Sequence, residues 1–304
     1  VPAAVRETVL GEGGVAVEHP LSDGSAAQLQ AGVVTCEWQV DGTPAARLHV
    51  DVLPNGVEDY RAFVVAYPYP GGTAAFGPDS DLRCWTDEVV GCSADLTPGG
   101  HWVEFEVSVP ADAATGDAST AALQIGATIT EALSTVQAGA RGDLGDVLPA
   151  WDDCLRLDAG DLRGASGSPS LGLPEPSYAG PGVIFSVAWQ RAAFRTCVWR
   201  QADIYDAPDG ELRMLTVTVL PGGAWAWREV SDAAMSGVDV RPLDVPGADA
   251  ASLACAYETE CAVHLSVQGS LLIVNGSYDS VDDGDLEAVT EASAAAVVAT
   301  LTAG

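Results

Sequence analysis

Seven cysteines and four histidines are the residues of this chain with the widest chemical reach. Cys36, Cys84, Cys92, Cys154, Cys197, Cys255 and Cys261 have the chemistry to hold a metal, to cycle as redox thiols or to form disulfides. A zinc site needs paired ligands at short spacing, and no Cys-x-x-Cys or histidine at ligand spacing supplies them. His19, His49, His101 and His264 sit in no His-Glu-x-x-His segment and read as surface or strand-edge residues. The stretch GASGS (164–168) mimics a nucleophile elbow, but Ser168 stands where that motif needs glycine, and a helix rather than a strand precedes it. DSVDDGDLE (279–287) lacks the acidic or amide ligand at the third position of a calcium loop and reads as a loop with a helix cap. No catalytic, cofactor-binding or metal-ligating residue is therefore expected, and no cofactor.

The cysteines make sense through an internal echo. TCEW (35–38) returns as TCVW (196–199), and LHVDVLPNG (48–56) as LTVTVLPGG (215–223). CSADLTPGGHW (92–102) aligns without a gap on CAVHLSVQGSL (261–271), and LQIGATITEALSTV (123–136) answers to LEAVTEASAAAVVATL (286–301). Four blocks in the same order define a tandem duplication of one domain of about 140–150 residues, each copy with its own core. The Gly- and Asp-rich junction QAGARGDLGDVLPAWDD (137–153) sets the expected domains at 1–145 and 146–304.

The repeat also sorts the cysteines. Cys36 matches Cys197, Cys84 matches Cys255 and Cys92 matches Cys261, which leaves Cys154 without a counterpart. Aligning Arg6 with Arg163 places the missing equivalent just upstream of Val1. Four cysteines per domain read as two disulfides each, with zinc as the rival. The expected bridges are Cys84–Cys92, Cys255–Cys261 and Cys154–Cys197, the last lying under Trp199, with Cys36 paired to a cysteine upstream of Val1.

Each copy reads as helix, strands, helix. A short amphipathic helix (2–10; 155–163) opens it, and strands follow up to the LPNG or LPGG turn. After the paired cysteines, Val103, Phe105, Val107 and Val109 alternate with Glu104, Glu106 and Ser108, so one face is apolar. Ile125, Ile129, Leu133 and Val136 stripe one closing helix, and Leu286, Val289, Val297 and Leu301 the other, with Asp285 as its cap. The expected class is α+β: in each copy an antiparallel sheet packed with an N-terminal and a C-terminal helix and stapled by disulfides.

An opening helix with Cys, a Cys-x-Trp strand, a second Cys pair and an Ala-rich closing helix resemble the small disulfide-bonded envelope domains of actinobacteria. Such domains occur in secreted or lipid-anchored lipoproteins and, in related form, as extracellular sensor domains of mycobacterial-type serine/threonine kinases. The resemblance implies an extracytoplasmic location and this fold, and carries no catalytic residue with it. It also implies a possible lipid anchor upstream of Val1.

Composition narrows the partners. All 13 basic residues are arginine against 43 acidic ones, a Lys-free, Ala/Gly/Val-rich make-up that suggests GC-rich coding. The net charge of −30 repels nucleic acid and anionic membrane surfaces alike. No apolar run reaches the length of a membrane span, so no transmembrane segment is expected. Two Pro/Gly-rich aromatic stretches without counterparts, 63–78 and 171–182, put forward Tyr67, Tyr69, Phe76 and Tyr178 as partner-binding rings. Arg191, Arg195 and Arg200 form a local basic cluster that would suit a carboxylate, a phosphate or an acidic partner. The leading expectation is a non-enzymatic, extracytoplasmic module that binds an envelope protein or assembles a complex. A small-ligand sensor or carrier comes second, and an envelope-directed hydrolase third.

Overall fold

A computed structural model describes residues 6–7, 10, 14–40, 43–66, 71–87, 89–110, 118–137, 147–148, 154–157, 161–177, 183–202, 208, 210–233, 240–256, 259–278 and 285–303. The chain divides into two compact units. Val1–His19 with Ala31–Arg141 make the first, and Pro20–Gln30 with Gly142–Gly304 the second, where the sequence reading has a single cut after 145.

The first unit holds a six-stranded antiparallel sheet of β1 (Gly14–Ala16), β2 (Val34–Val40), β3 (Thr43–Leu53), β4 (Ser80–Thr86), β5 (Val89–Leu96) and β6 (Trp102–Pro110), in the order β1-β2-β3-β6-β5-β4. The second holds β7 (Glu175–Ser177), β8 (Arg195–Arg200), β9 (Met214–Leu220), β10 (Val240–Leu243), β11 (Ala250–Ala256), β12 (Glu260–Val267) and β13 (Ser270–Ser277). Its order, β10-β11-β12-β13-β9-β8-β7, is that of the first sheet with β10 added at one edge. The repeated blocks thus occupy the same strands of two like sheets.

Alternation sets the two faces of each sheet. In the first unit Leu48, Val50, Val103, Phe105 and Val107 point to the core, where Ala122, Ile125 and Ile129 of α3 (Ala118–Leu133) meet them. In the second, Val217, Val219, Val263, Leu265 and Val274 pack under Val297, Val298 and Leu301 of α7 (Leu286–Thr302). Asp285 caps α7, its carboxylate accepting the Ala288 amide at 3.1 Å. The first closing helix ends at Leu133, so Val136 leaves the expected stripe and is exposed.

The opening helices differ from expectation. Most of 2–10 lies outside the described residues; Arg6, Glu7 and Leu10 are helical. In the second copy the segment is a 3₁₀ turn, Cys154–Leu157, followed by the short α4 (Asp161–Ala165). Four helices were not anticipated: α1 (Asp23–Gln30), α2 (Val57–Ala66), α5 (Val183–Arg191) and α6 (Trp227–Ala233). Both α2 and α6 follow the Leu-Pro-x-Gly turn. That turn needs left-handed backbone, at Asn55 (φ 52°) in one copy and Gly222 (φ 76°) in the other.

Disulfides join Cys84 to Cys92 and Cys255 to Cys261, each across directly opposed positions of a hairpin with Cα atoms 4.0 Å apart. A third ties Cys154 in the 3₁₀ turn to Cys197 on β8, beside the fully buried Trp199. Cys36 is exposed and bonded to none of the other six. Among the described residues no helix is long and apolar enough to cross a membrane.

Candidate functional site

The face of each sheet turned away from the closing helix carries the chemistry. In the first unit, cross-strand pairing runs Thr35–Asp51–Glu104–Asp95–Asp81 over β2, β3, β6, β5 and β4. The next row, two residues along, is Glu37–His49–Glu106–Ser93–Arg83. Each strand turns alternate residues to one side, so a pleated sheet places these ten side chains on one surface.

Most of that charge is internally paired. His49 Nε2 lies 2.6 Å from Asp51 and its Nδ1 3.3 Å from Glu37, while Arg47 Nε reaches Glu37 at 3.0 Å. Arg83 bridges Asp81 at 3.0 Å and Asp95 at 3.2 Å. Trp102 Nε1 donates to Asp95 at 2.8 Å, and Tyr60 and Phe63 of α2 pack on its ring. Burial lowers the affinity of His49 for its proton, but the Asp51 carboxylate outweighs it and raises the net pKa. Glu104 sits between Asp51 and Asp95, and among the described residues it forms no salt bridge. Burial first, then those two carboxylates, push it up to about 7.

The same row in the second unit is Thr196–Thr218–Ile273–His264–Ser252. Glu104 has become Ile273 and Asp95 has become His264. In the next row Glu106 has become Asn275, Ser93 has become Ala262, and Arg83 has become Ala254. Replacing arginine and serine by alanine removes side-chain volume above the sheet, and a cavity of about 310 Å³ stands there. Ala254, Ala262, His264, Ile273 and Asn275 form its floor. Val230 and Ala233 of α6 wall it on one side, and Pro20–Asp23 from the segment leading into α1 on another.

The wall from residues 20–23 is anchored within this unit. Trp189 of α5 donates to the Gly24 carbonyl at 3.2 Å, and Gln30 Nε2 donates to the Pro221 carbonyl at 2.6 Å. A side chain on residue 24 would press against the Trp189 ring, 3.1 Å away, so glycine permits the close approach.

His264 is 2% exposed, lines the cavity, and leaves its Nδ1 without a hydrogen bond. Burial alone pushes its pKa down to about 4, so at neutral pH the ring is an uncharged imidazole. Asn275 donates from Nδ2 to Glu260 at 2.8 Å, and its Oδ1 is likewise unpartnered. Buried polar atoms without partners cost free energy unless something answers them. Both residues line the cavity. Beside them, the Ser231 and Ser252 hydroxyls bond each other at 2.6 Å.

No family model, no curated protein and no solved structure matches this chain. Its chemistry has to be read from its own side chains.

The residues put forward from sequence fare unequally. Tyr67, Tyr69 and Tyr178 lie outside the described residues. Phe76 is half-buried in the first core, edge-on to Phe105 at 6.3 Å and lying where a side chain at position 126 of α3 would stand. That ring is committed to packing. Arg195 and Arg200 stand five positions apart on β8 and so point to opposite faces, and Arg191 ends α5; the structure does not bring the three guanidinium groups onto one surface. Ser166 and Ser168 of GASGS are buried, and Ser168 Oγ accepts the Leu212 amide at 2.8 Å, a structural role. Among the described residues, no group of histidine, cysteine and carboxylate side chains has the geometry to hold a metal.

Sequence reasoning missed the cavity because its floor is written as differences between the copies. The gap-free alignment of 92–102 with 261–271 already holds the Asp95-to-His264 exchange. Comparing the outward-facing positions of the repeats, in place of the shared inward ones, would have exposed it.

Proposed function

We propose that the chain is a non-catalytic binding module of the extracytoplasmic envelope whose second copy holds a small ligand. The unpartnered Nδ1 of His264 in the floor of a cavity carries this reading. The cavity is at the small end of the usual range for ligand sites and mixes an apolar lining with a few polar groups, the common pattern of such sites. The three disulfides favour an oxidising compartment, in line with the resemblance to actinobacterial envelope domains. The non-catalytic character is favoured by the state of the His264 imidazole: among the described residues its Nδ1 is tied to neither a hydroxyl nor a carboxylate. A protein partner, the leading expectation from sequence, has less support, since Phe76 is in the core and the arginines are dispersed.

The test is direct. Small-molecule fragments are screened by thermal shift, and hits are followed through the imidazole NMR signals of the four histidines. Ligands that move His264 and raise the melting temperature are expected. Hits that never perturb His264, and that bind equally well when Ala254→Leu fills the cavity, would remove the basis for the assignment.

A further inference from the structure

We infer that the guest of the second-unit cavity is a small organic ammonium: a protonated amine on a short apolar body. The inference rests on the ligand-binding reading above and names the chemistry of its ligand. Three features of the lining lead to it.

The described residues of the lining offer acceptors and negative charge and no cation. Their titratable groups are Asp23, Glu260 and His264, with no arginine among them. His264 is held uncharged by burial, so it does not offset the two carboxylates. An anion entering this space would meet the Glu260 carboxylate and Asp23, whose pKa burial pushes up, with no counter-charge among the described lining residues.

The unanswered polar atoms also ask for donors. The Asn275 amide is oriented by its own Nδ2, which donates to Glu260, and this leaves the buried Oδ1 without a donor. A neutral imidazole carries one nitrogen able to accept. An ammonium group supplies three N–H donors and a charge that Glu260 complements.

The rest of the surface is apolar and cut back to methyl groups. Ala254 and Ala262 stand where the first copy has Arg83 and Ser93. In that copy the Arg83 guanidinium lies between two carboxylates, Asp81 and Asp95, at 3.0 and 3.2 Å. The second copy has lost that cation together with both its acids, Asp81 and Asp95 having become Ser252 and His264, and the acids of the cavity, Asp23 and Glu260, come from other positions.

The chain's charge of −30 attracts any cation weakly, so specificity has to be tested inside the cavity. Calorimetric titration of the intact chain would use n-butylammonium, cyclohexylammonium and benzylammonium. Each is matched by the carboxylate and the alcohol of the same skeleton, with the His264 imidazole signals followed in parallel. The expected result is that at least one amine binds roughly tenfold or more tighter than its matched carboxylate and alcohol. It should shift His264 and lose at least about tenfold in affinity in both Glu260→Gln and Asn275→Leu. If carboxylates or alcohols bind as tightly and shift His264, the ammonium assignment is overturned while the ligand site stands. If none of the probes shifts His264 and the broader fragment screen also leaves it unmoved, both fall. Amine binding that persists undiminished in Ala254→Leu, with His264 unmoved, would be general cation attraction and would also overturn the inference.

Discussion

Asp95 and His264 occupy the same position of the same strand in the two copies, one a carboxylate and the other a neutral imidazole. The exchange is not isolated. Asp95 is held by the Trp102 indole and the Arg83 guanidinium, and in the second copy those two have become Leu271 and Ala254. Removing both donors removes the means of stabilising a buried negative charge, and an uncharged group takes its place. One duplicated sheet face has therefore diverged into a self-paired ionic surface and an open cavity.

Acid should weaken the second unit through His264. Its pKa is depressed from 6.5 to about 4 in the folded chain, so the unfolded state takes up a proton first as pH falls. The stabilising contribution is complete above pH 6.5 and is lost on descending towards pH 4, to the extent of about 3 kcal/mol. Urea melts of wild type and His264→Gln between pH 4 and 7.5 should show the slope in wild type and much less of it in the variant.

The first unit should respond in the opposite sense through Glu104. Its folded pKa stands at about 7 against an ordinary 4.5, so the folded state keeps a proton that the unfolded state gives up. Stability is greatest below pH 4.5 on this account and declines as pH rises through 7. Glu104→Gln, which keeps the shape without the charge, should stabilise this unit at pH 8 by about 1–3 kcal/mol. An unchanged denaturation midpoint at pH 8 would count against a protonated Glu104.

The Cys154–Cys197 bridge closes a longer loop than either hairpin bridge, with a sequence separation of 43 against 8 and 6. Loop-closure entropy then ranks its removal as the most costly, at about 4 kcal/mol against about 2–2.5 kcal/mol for each hairpin pair. Paired Cys→Ser variants compared by chemical denaturation check the order.

Phe76→Ala should lower the melting temperature of the first unit, since the ring packs on Phe105 and against α3. A loss of about 2–4 kcal/mol is expected for a half-buried aromatic side chain. Gly126→Val should also destabilise, because the position-126 Cβ would come within 2.3 Å of that ring.

Much of the framework was legible beforehand for a simple reason. Residues 103–109 alternate strictly, and alternation follows from strand geometry whatever the neighbours are. Cys84 and Cys92 lie close in sequence on either side of a turn, which puts their pairing within reach of inspection. Phe76 shows the limit: set among Gly, Pro and Ala it looked free, yet α3, some fifty residues later, supplies the groove at Gly126 that takes it. The helices α1, α2, α5 and α6 escaped for a related reason. They are seven to ten residues long, and helices that short are held by tertiary packing more than by their own propensity.

Local pattern and internal repetition therefore determined the duplication, the strand faces, the closing helices and the three cysteine pairs, because each depends on residues near one another or on a copy of themselves. The site was decided only by tertiary structure. Which outward side chains stand side by side depends on strand order β11-β12-β13-β9, which sets Ser252, His264, Ile273 and Thr218 in one row from four separate stretches of chain. The wall contributed by Pro20–Asp23 comes from farther still, from a segment that precedes the first cysteine and folds with the second unit. A cavity is the absence of side-chain volume among such distant neighbours, and no single stretch of sequence contains it.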